Sequence, residues 1–162
     1  MLHNEPTSKD HDCSNPPPEP IDLFGASVHP WTMQQTLEEI DRRLSAEPFT
    51  QHVVVNVAKI VQMQSDVSLK KAVSSCDIVN IDGAGVVFGG RLLGFSIPER
   101  VAGIDLFREL LRTSQQSGRS VFFLGARQEV LEQAVKRIRD EFPRLNIAGY
   151  HDGYFWGNEA AV

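Results

Sequence analysis

Four short apolar runs, at residues 52–57 (HVVVNV), 77–81 (DIVNI), 120–124 (SVFFL) and 146–150 (NIAGY), limit what this chain can fold into more than any other feature. Each is too short for a stable helix, and the first is a continuous β-branched run of the kind found in a strand buried on both faces. The stretches between them have helical spacing instead. Ahead of the first run, Thr32 and Gln35 make a capping-box pattern, and Met33, Leu37, Ile40 and Leu44 then share one face before Pro48. After it, Asp66 is placed to cap a helix carrying Leu69, Ala72 and Val73. Residues 86–93 form a helix closed by Gly94. Residues 104–116 turn Leu106, Phe107, Leu110 and Leu111 inward and stop at Gly118. Residues 128–142 carry Val130, Leu131, Ala134, Val135 and Ile138 on one face and end at Pro143. Strands alternating with helices imply right-handed crossovers and an α/β architecture, a mostly parallel sheet with flanking helices, Rossmann-like in layout.

A chain of 162 residues with 41% hydrophobic content suits one domain, able to bury roughly 70% of the surface its unfolded form exposes. Residues 1–20 (MLHNEPTSKDHDCSNPPPEP) cannot supply enough apolar surface to offset their ordering entropy and read as a disordered proline-rich tail, leaving 21–162 as the domain. His3, His11 and Cys13 in that tail lack metal-ligand spacing. The two cysteines, Cys13 and Cys76, lie far apart, one in the tail and one beside a strand, which argues against a structural disulfide and for the cytoplasm. A formal net charge of −5 argues against nucleic acid as a partner. No apolar run has the length of a membrane span, and the first residues have no signal-peptide core. The last run is followed by HDGYFWGNEAAV with no helix to cover it, so the domain reads as truncated after its fourth strand, by a cut or with a partner completing the sheet. Bare strand edges in such a sheet would favour a homo-oligomer.

The carboxyl ends of parallel strands are where an α/β protein binds ligands, and Asp82 closes the second run there, followed by Gly83 and Gly85. A partly desolvated carboxylate at that point can serve as a general base; equally, Asp before Gly can cap the helix that follows. Arg100, in a loop opened by Pro98, can grip phosphate or carboxylate bidentately, or pair with Glu99 or Asp105. Asn56, at the same sheet edge, can hold a sugar hydroxyl or tie down a loop. Gly125, Ala126 and Arg127 sit between the third run and a helix, where small residues let backbone N–H groups approach a phosphate, although strand-to-helix glycines are often plain turns. The dinucleotide glycine pattern and the Walker lysine are both missing. His151, Asp152 and Tyr154 cluster after the fourth run, more in keeping with a loop anchored by Tyr154 and Phe155 than with catalysis.

Several stretches together resemble the WecG/TagA/CpsF family of bacterial glycosyltransferases: NVAKIVQMQSD (56–66), DIVNIDGAGVV (77–87), ERVAGIDL (99–106), FFLGA (122–126), FPRLNIAGY (142–150) and DGYF (152–155). The resemblance covers residues 50–155 in order. It implies an inverting transfer of N-acetylmannosamine or a similar N-acetylhexosamine from a UDP-sugar to a polyprenyl-diphosphate-linked sugar at the inner membrane face. It further implies no metal and no cofactor, and a place in teichoic acid, capsule or exopolysaccharide synthesis. On the matching positions, Asp82 is the implied base, Arg100 the implied partner of the departing diphosphate, and Asn56 the asparagine of a T-x-N element whose threonine is replaced here by Val54. Family members continue past DGYF into a glycine-rich loop and a basic membrane-docking tail. The competing expectation is therefore a truncated, non-catalytic remnant that binds a nucleotide-sugar or a partner chain.

Overall fold

The computed structural model describes residues 17–156. It opens with a hairpin that the sequence pattern did not reveal: β1 (Ile21–Leu23) and β2 (Ala26–Val28) pair antiparallel, with Leu23, Ala26 and Val28 buried. Each strand is three residues long, too short to show alternation. The two-residue turn takes φ 57° at Phe24 and 78° at Gly25, as a tight hairpin turn requires. The Asp22 carboxylate accepts from Gly25 N at 3.1 Å and locks it.

Helix α1 (Met33–Ala46) begins at Thr32 with both halves of the expected capping box formed. Strand β3 (His52–Val55) is shorter than the apolar run. Asn56 ends it by capping α2 (Val57–Met63), so Val57 starts a helix instead of finishing a strand. Asp66 caps α3 (Val67–Ser74) through Leu69 N, and β4 (Ile78–Ile81) follows, buried at every position. Then come α4 (Ala84–Leu92), α5 (Gly103–Ser117), β5 (Ser120–Leu124), α6 (Gln128–Glu141) and β6 (Asn146–His151). Gly118 ends α5 in the left-handed conformation with φ 71°.

The fold is α/β and its long-range pairings are parallel, but the strands do not make one sheet. β3 pairs with β4 and β5 with β6 as separate two-stranded sheets. A β-bulge between Val121 and Phe122 shifts the second register. On its other edge β4 is met by the chain leaving β2: His29 N donates to Val79 O, and Val79 N donates back to His29 Nδ1.

Three apolar clusters hold these pieces. One joins the hairpin, β3, β4 and helices α2 to α4. A second packs Trp31 and Ile40 against Ile78, Val101 and Leu106, and a third packs Leu111 and Phe123 against Leu131, Val135 and Phe142. Three residues expected inside are exposed: Leu44 on α1, Phe107 on α5 and Val130 on α6. Each lies at the margin of an apolar stripe wider than the strip its neighbours cover.

Candidate functional site

The site grows from the end of β4. Asp82 N donates to Val55 O at 2.9 Å, so the backbone stays paired with β3 one residue past the strand. The carboxylate is half-buried. It does not cap α4, because Gly83 occupies the N-cap position and no side chain caps that helix. Instead it turns toward the start of α5: a Cβ built on Gly103 would stand 3.5 Å from Asp82 Oδ2 and 3.2 Å from Val54 Cγ2. Gly103 is therefore glycine where a carboxylate and a strand side chain close on the N-terminus of α5, a helix with no capping side chain. Val54, which replaces the threonine of the T-x-N element, packs at this same point.

Asn56 does tie down a loop. Its Oδ1 accepts from Lys59 N at 2.9 Å, capping α2, and its amide N–H groups have no such role. Gly83 lies against it, with a would-be Cβ 3.4 Å from Asn56 Cα, so the two strand ends meet through backbone. Lys59, one turn further along α2, reaches back to Val54 O at 2.8 Å. It brings a cation to the site that sequence reasoning missed, although the NVAK motif contains it.

Arg100 sits in the loop between α4 and α5, exposed, and pairs with neither Glu99 nor Asp105. Glu99 is engaged elsewhere, accepting from Met33 N at the start of α1. The loop is fastened twice more. Arg91 donates to Ile97 O at 2.7 and 2.9 Å and to Pro98 O at 2.9 Å, and Val101 N donates to Ile81 O at 2.9 Å, alongside the end of β4. Arg100 then lines an open hollow of about 380 Å³ with Ala84, Val87, Phe88 and Arg91. Asp82 does not line it. The acid and the arginine flank α4, one before it and one after it, at the same end of β4.

Gly125, Ala126 and Arg127 belong to the other sheet. Gly125 and Ala126 take φ 132° and 61°, Gly125 N donates to His151 O, and Gly153 N donates to Ala126 O. Gly153 approaches so closely that a Cβ there would stand 3.2 Å from Gly125 Cα. This turn, joined to the loop after β6, explains the small residues structurally. Arg127 is the N-cap of α6 without a capping side chain, so the first N–H groups of that helix stay open. In the same loop Asp152 accepts from Tyr154 N, and His151 packs edge-on against Phe155. Phe155 anchors the loop as expected, whereas Tyr154 is exposed.

Behind the site runs a buried polar chain. His52 Nε2 donates to Asn80 Oδ1 at 2.9 Å, Asn80 Nδ2 donates to Thr36 Oγ1 at 3.0 Å, and Thr36 Oγ1 donates to Thr32 O at 2.9 Å. Burial holds the His52 and His29 imidazoles below the ordinary histidine pKa and pushes the Cys76 thiol up. Cys76 is a free thiol, while Cys13, His3 and His11 lie outside the described residues. Among the described residues no group of three His, Cys, Asp or Glu side chains is gathered to hold a metal ion. No described helix is long and apolar enough to cross a membrane.

The fold and site define an α/β protein with an acid at a strand end, an uncapped helix start beside it and a fastened arginine-bearing loop, at the sheet edge where such folds bind ligands. The chain belongs to the WecG/TagA/CpsF family of glycosyl transferases, whose family model matches residues 21–162. It is 43% identical over 81 residues to an N-acetylglucosaminyldiphosphoundecaprenol N-acetyl-beta-D-mannosaminyltransferase of Bacillus spizizenii, covering 50% of this chain and 32% of that protein. Against the protein of the same name from Bacillus subtilis the identity is 40% over 81 residues, with the same coverage. The match thus spans about a third of the length of these curated relatives.

Proposed function

We propose that this chain takes part in an inverting transfer of an N-acetylmannosamine-like sugar from a UDP-sugar to a polyprenyl-diphosphate-linked sugar, in cell-surface polysaccharide synthesis. Asp82 takes the proton of the acceptor hydroxyl as its oxygen attacks the anomeric carbon. The bond from that carbon to the UDP oxygen breaks, and the electron pair leaves with the diphosphate, whose charge Arg100 stabilises. Asn56 and Gly83 border the sugar. At the open start of α6, Ala126 and Arg127 offer backbone N–H groups to phosphate, and Gly125, whose own N–H is paired with His151 O, leaves room for it to approach. The countercharge comes from arginine, so the step is metal-independent. The two parallel sheets are read as parts of one Rossmann-like layer. The protein works in the cytoplasm, peripheral to the inner membrane face where such an acceptor lies.

The observation that carries this reading is the half-buried Asp82 carboxylate at the carboxyl end of β4, uninvolved in capping α4 and facing the start of α5. The test is UDP release from a UDP-N-acetylhexosamine in the presence of lipid-linked acceptor, comparing wild type with Asp82→Asn. Loss of a general base lowers turnover roughly 10²- to 10⁴-fold. Equal turnover by the two proteins refutes the role of Asp82. UDP binding without turnover by the wild type supports the non-catalytic alternative.

A further inference from the structure

Lys59 brings a charge to the site that the proposed transfer leaves without a task. Its ammonium is partly buried and donates to Val54 O at 2.8 Å, and among the described residues no carboxylate pairs with it. The carbonyl takes one of three N–H donors and does not neutralise the charge. A partly buried cation with no anion beside it carries a desolvation cost, which a bound anion offsets. Tying α2 to β3 needs only a neutral donor, so the clamp accounts for the bond and leaves the charge unexplained.

The strand pairing shows where this charge stands. Successive carbonyls of a strand point to opposite edges. Val55 O faces β4, accepting from Asp82 N, so Val54 O faces away from β4 and holds Lys59 on the outer edge of β3. Arg100 lies on the other side of the pair. Its neighbour Val101 donates to Ile81 O on the outer edge of β4, the edge where His29 also meets Val79. The Val101 backbone and the Lys59 ammonium are thus separated by both strands, about three inter-strand spacings of about 4.8 Å. The two cations make two positions, not one cluster, and the acid lies between them. Val54 joins it to Lys59: its Cγ2 and Asp82 Oδ2 close on the same point beside Gly103, while its carbonyl holds the ammonium.

The transfer described above handles two diphosphates, one leaving with UDP and one within the lipid-linked acceptor. Inversion requires acceptor and leaving group on opposite sides of the anomeric carbon. Two cations on opposite edges of a strand pair, with the base between them, match that demand. We propose that Lys59 binds the diphosphate of the acceptor, its two remaining N–H groups donating to phosphate oxygens while the third keeps Val54 O. The assignment rests on the transferase reading and on its placing of the departing diphosphate at Arg100.

The test is calorimetric titration of the full chain with two probes, UDP and an N-acetylglucosamine joined to geraniol through a diphosphate. It compares wild type with Lys59→Met, Lys59→Arg and, as a charge control on an exposed position of α6, Lys136→Met. Urea midpoints check that each variant folds. Lys59→Met keeps the apolar stem and loses the charge. It should bind the geranyl probe about tenfold to a hundredfold more weakly, the loss expected for a charge-assisted hydrogen-bonded contact, with UDP affinity unchanged. Lys59→Arg keeps the cation and should retain most of the affinity, and Lys136→Met should match wild type. Equal binding of the geranyl probe by wild type and Lys59→Met overturns the proposal and leaves the transferase reading standing. So does a loss confined to UDP, which gives the ammonium to the donor, or an equal loss for both probes, which makes Lys59 a clamp alone. Absence of geranyl-probe binding by the wild type overturns the proposal, and absence of binding to both probes overturns the transferase reading with it.

Discussion

Replacing Asn80 with alanine should damage the fold more than any surface change near the site. Asn80 is fully buried in the middle of β4 and is held from both sides, accepting from His52 on β3 and donating to Thr36 on α1. Alanine removes both bonds. It strands the half-buried His52 N–H, deprives Thr36 Oγ1 of its donor and leaves a void where the amide stood. A stranded buried polar group costs about 1–3 kcal/mol, and the void adds to it. The expected loss is about 2–4 kcal/mol, which at a urea slope of about 2 kcal/mol per M lowers the midpoint by about 1–2 M. The assay is equilibrium urea unfolding at neutral pH followed by far-UV circular dichroism. A cycle with Thr36→Val isolates the contact, since residues in one hydrogen-bond chain couple by about 0.5–3 kcal/mol. A stability for Asn80→Ala within about 0.5 kcal/mol of wild type, or strict additivity with Thr36→Val, would refute the account of this chain as a brace between α1, β3 and β4.

Acid should destabilise the protein in two steps. Burial depresses the pKa of His29 and His52 in the folded state, so the unfolded chain takes up protons first. Stability is therefore full above the ordinary histidine pKa of 6.5 and falls as pH drops below it. Glu39, held at about 2 first by its hydrogen bond from Arg42, contributes stability that is present above its ordinary value of 4.5 and lost as pH falls toward 2. Urea midpoints at a series of pH values should show both declines, and His52→Asn should shallow the first; a flat profile from pH 7 to 5 contradicts the neutral buried histidines. Gly118→Ala tests backbone strain alone, because φ is +71° and nothing lies within 4 Å of a Cβ there. It should cost about 1–2 kcal/mol in the same unfolding experiment, and a neutral result would mean that the left-handed end of α5 is not required.

The strands and long helices were legible because burial writes period directly into composition. β4 is buried at every position and reads as a solid apolar run, and α1 announces itself with Thr32 and Gln35. The hairpin was hidden because strands of three residues carry no period. The boundary at Asn56 was misplaced because Val57 extends the β-branched run while the backbone follows the stronger local signal, the asparagine side chain accepting from Lys59 N. Propensity favours strand at valine, yet a cap fixes where the helix starts. The division into two parallel sheets is a matter of which strands meet across the core, and no single run encodes that.

The site shows the same division between what a residue is and what occupies it. Asp82, Arg100 and Asn56 could each be found from type and position, and each had a plain structural alternative. For two of them the decisive facts are held by other residues. Asp82 does not cap α4 because Gly83 takes the cap position, and Arg100 does not pair with Glu99 because Glu99 is already bound to the start of α1. For Asn56 the structural alternative is realised, since its oxygen is committed to α2. Arg91 holds two carbonyls of the arginine loop and Gly103 leaves room for the acid, and neither has a chemistry that marks it in sequence. A strand-end acid and a loop arginine are common in α/β proteins. What makes this pair a candidate is that Gly83 takes the cap position Asp82 could have filled and Glu99 is bound to the start of α1, a property of the fold as a whole and of no single motif.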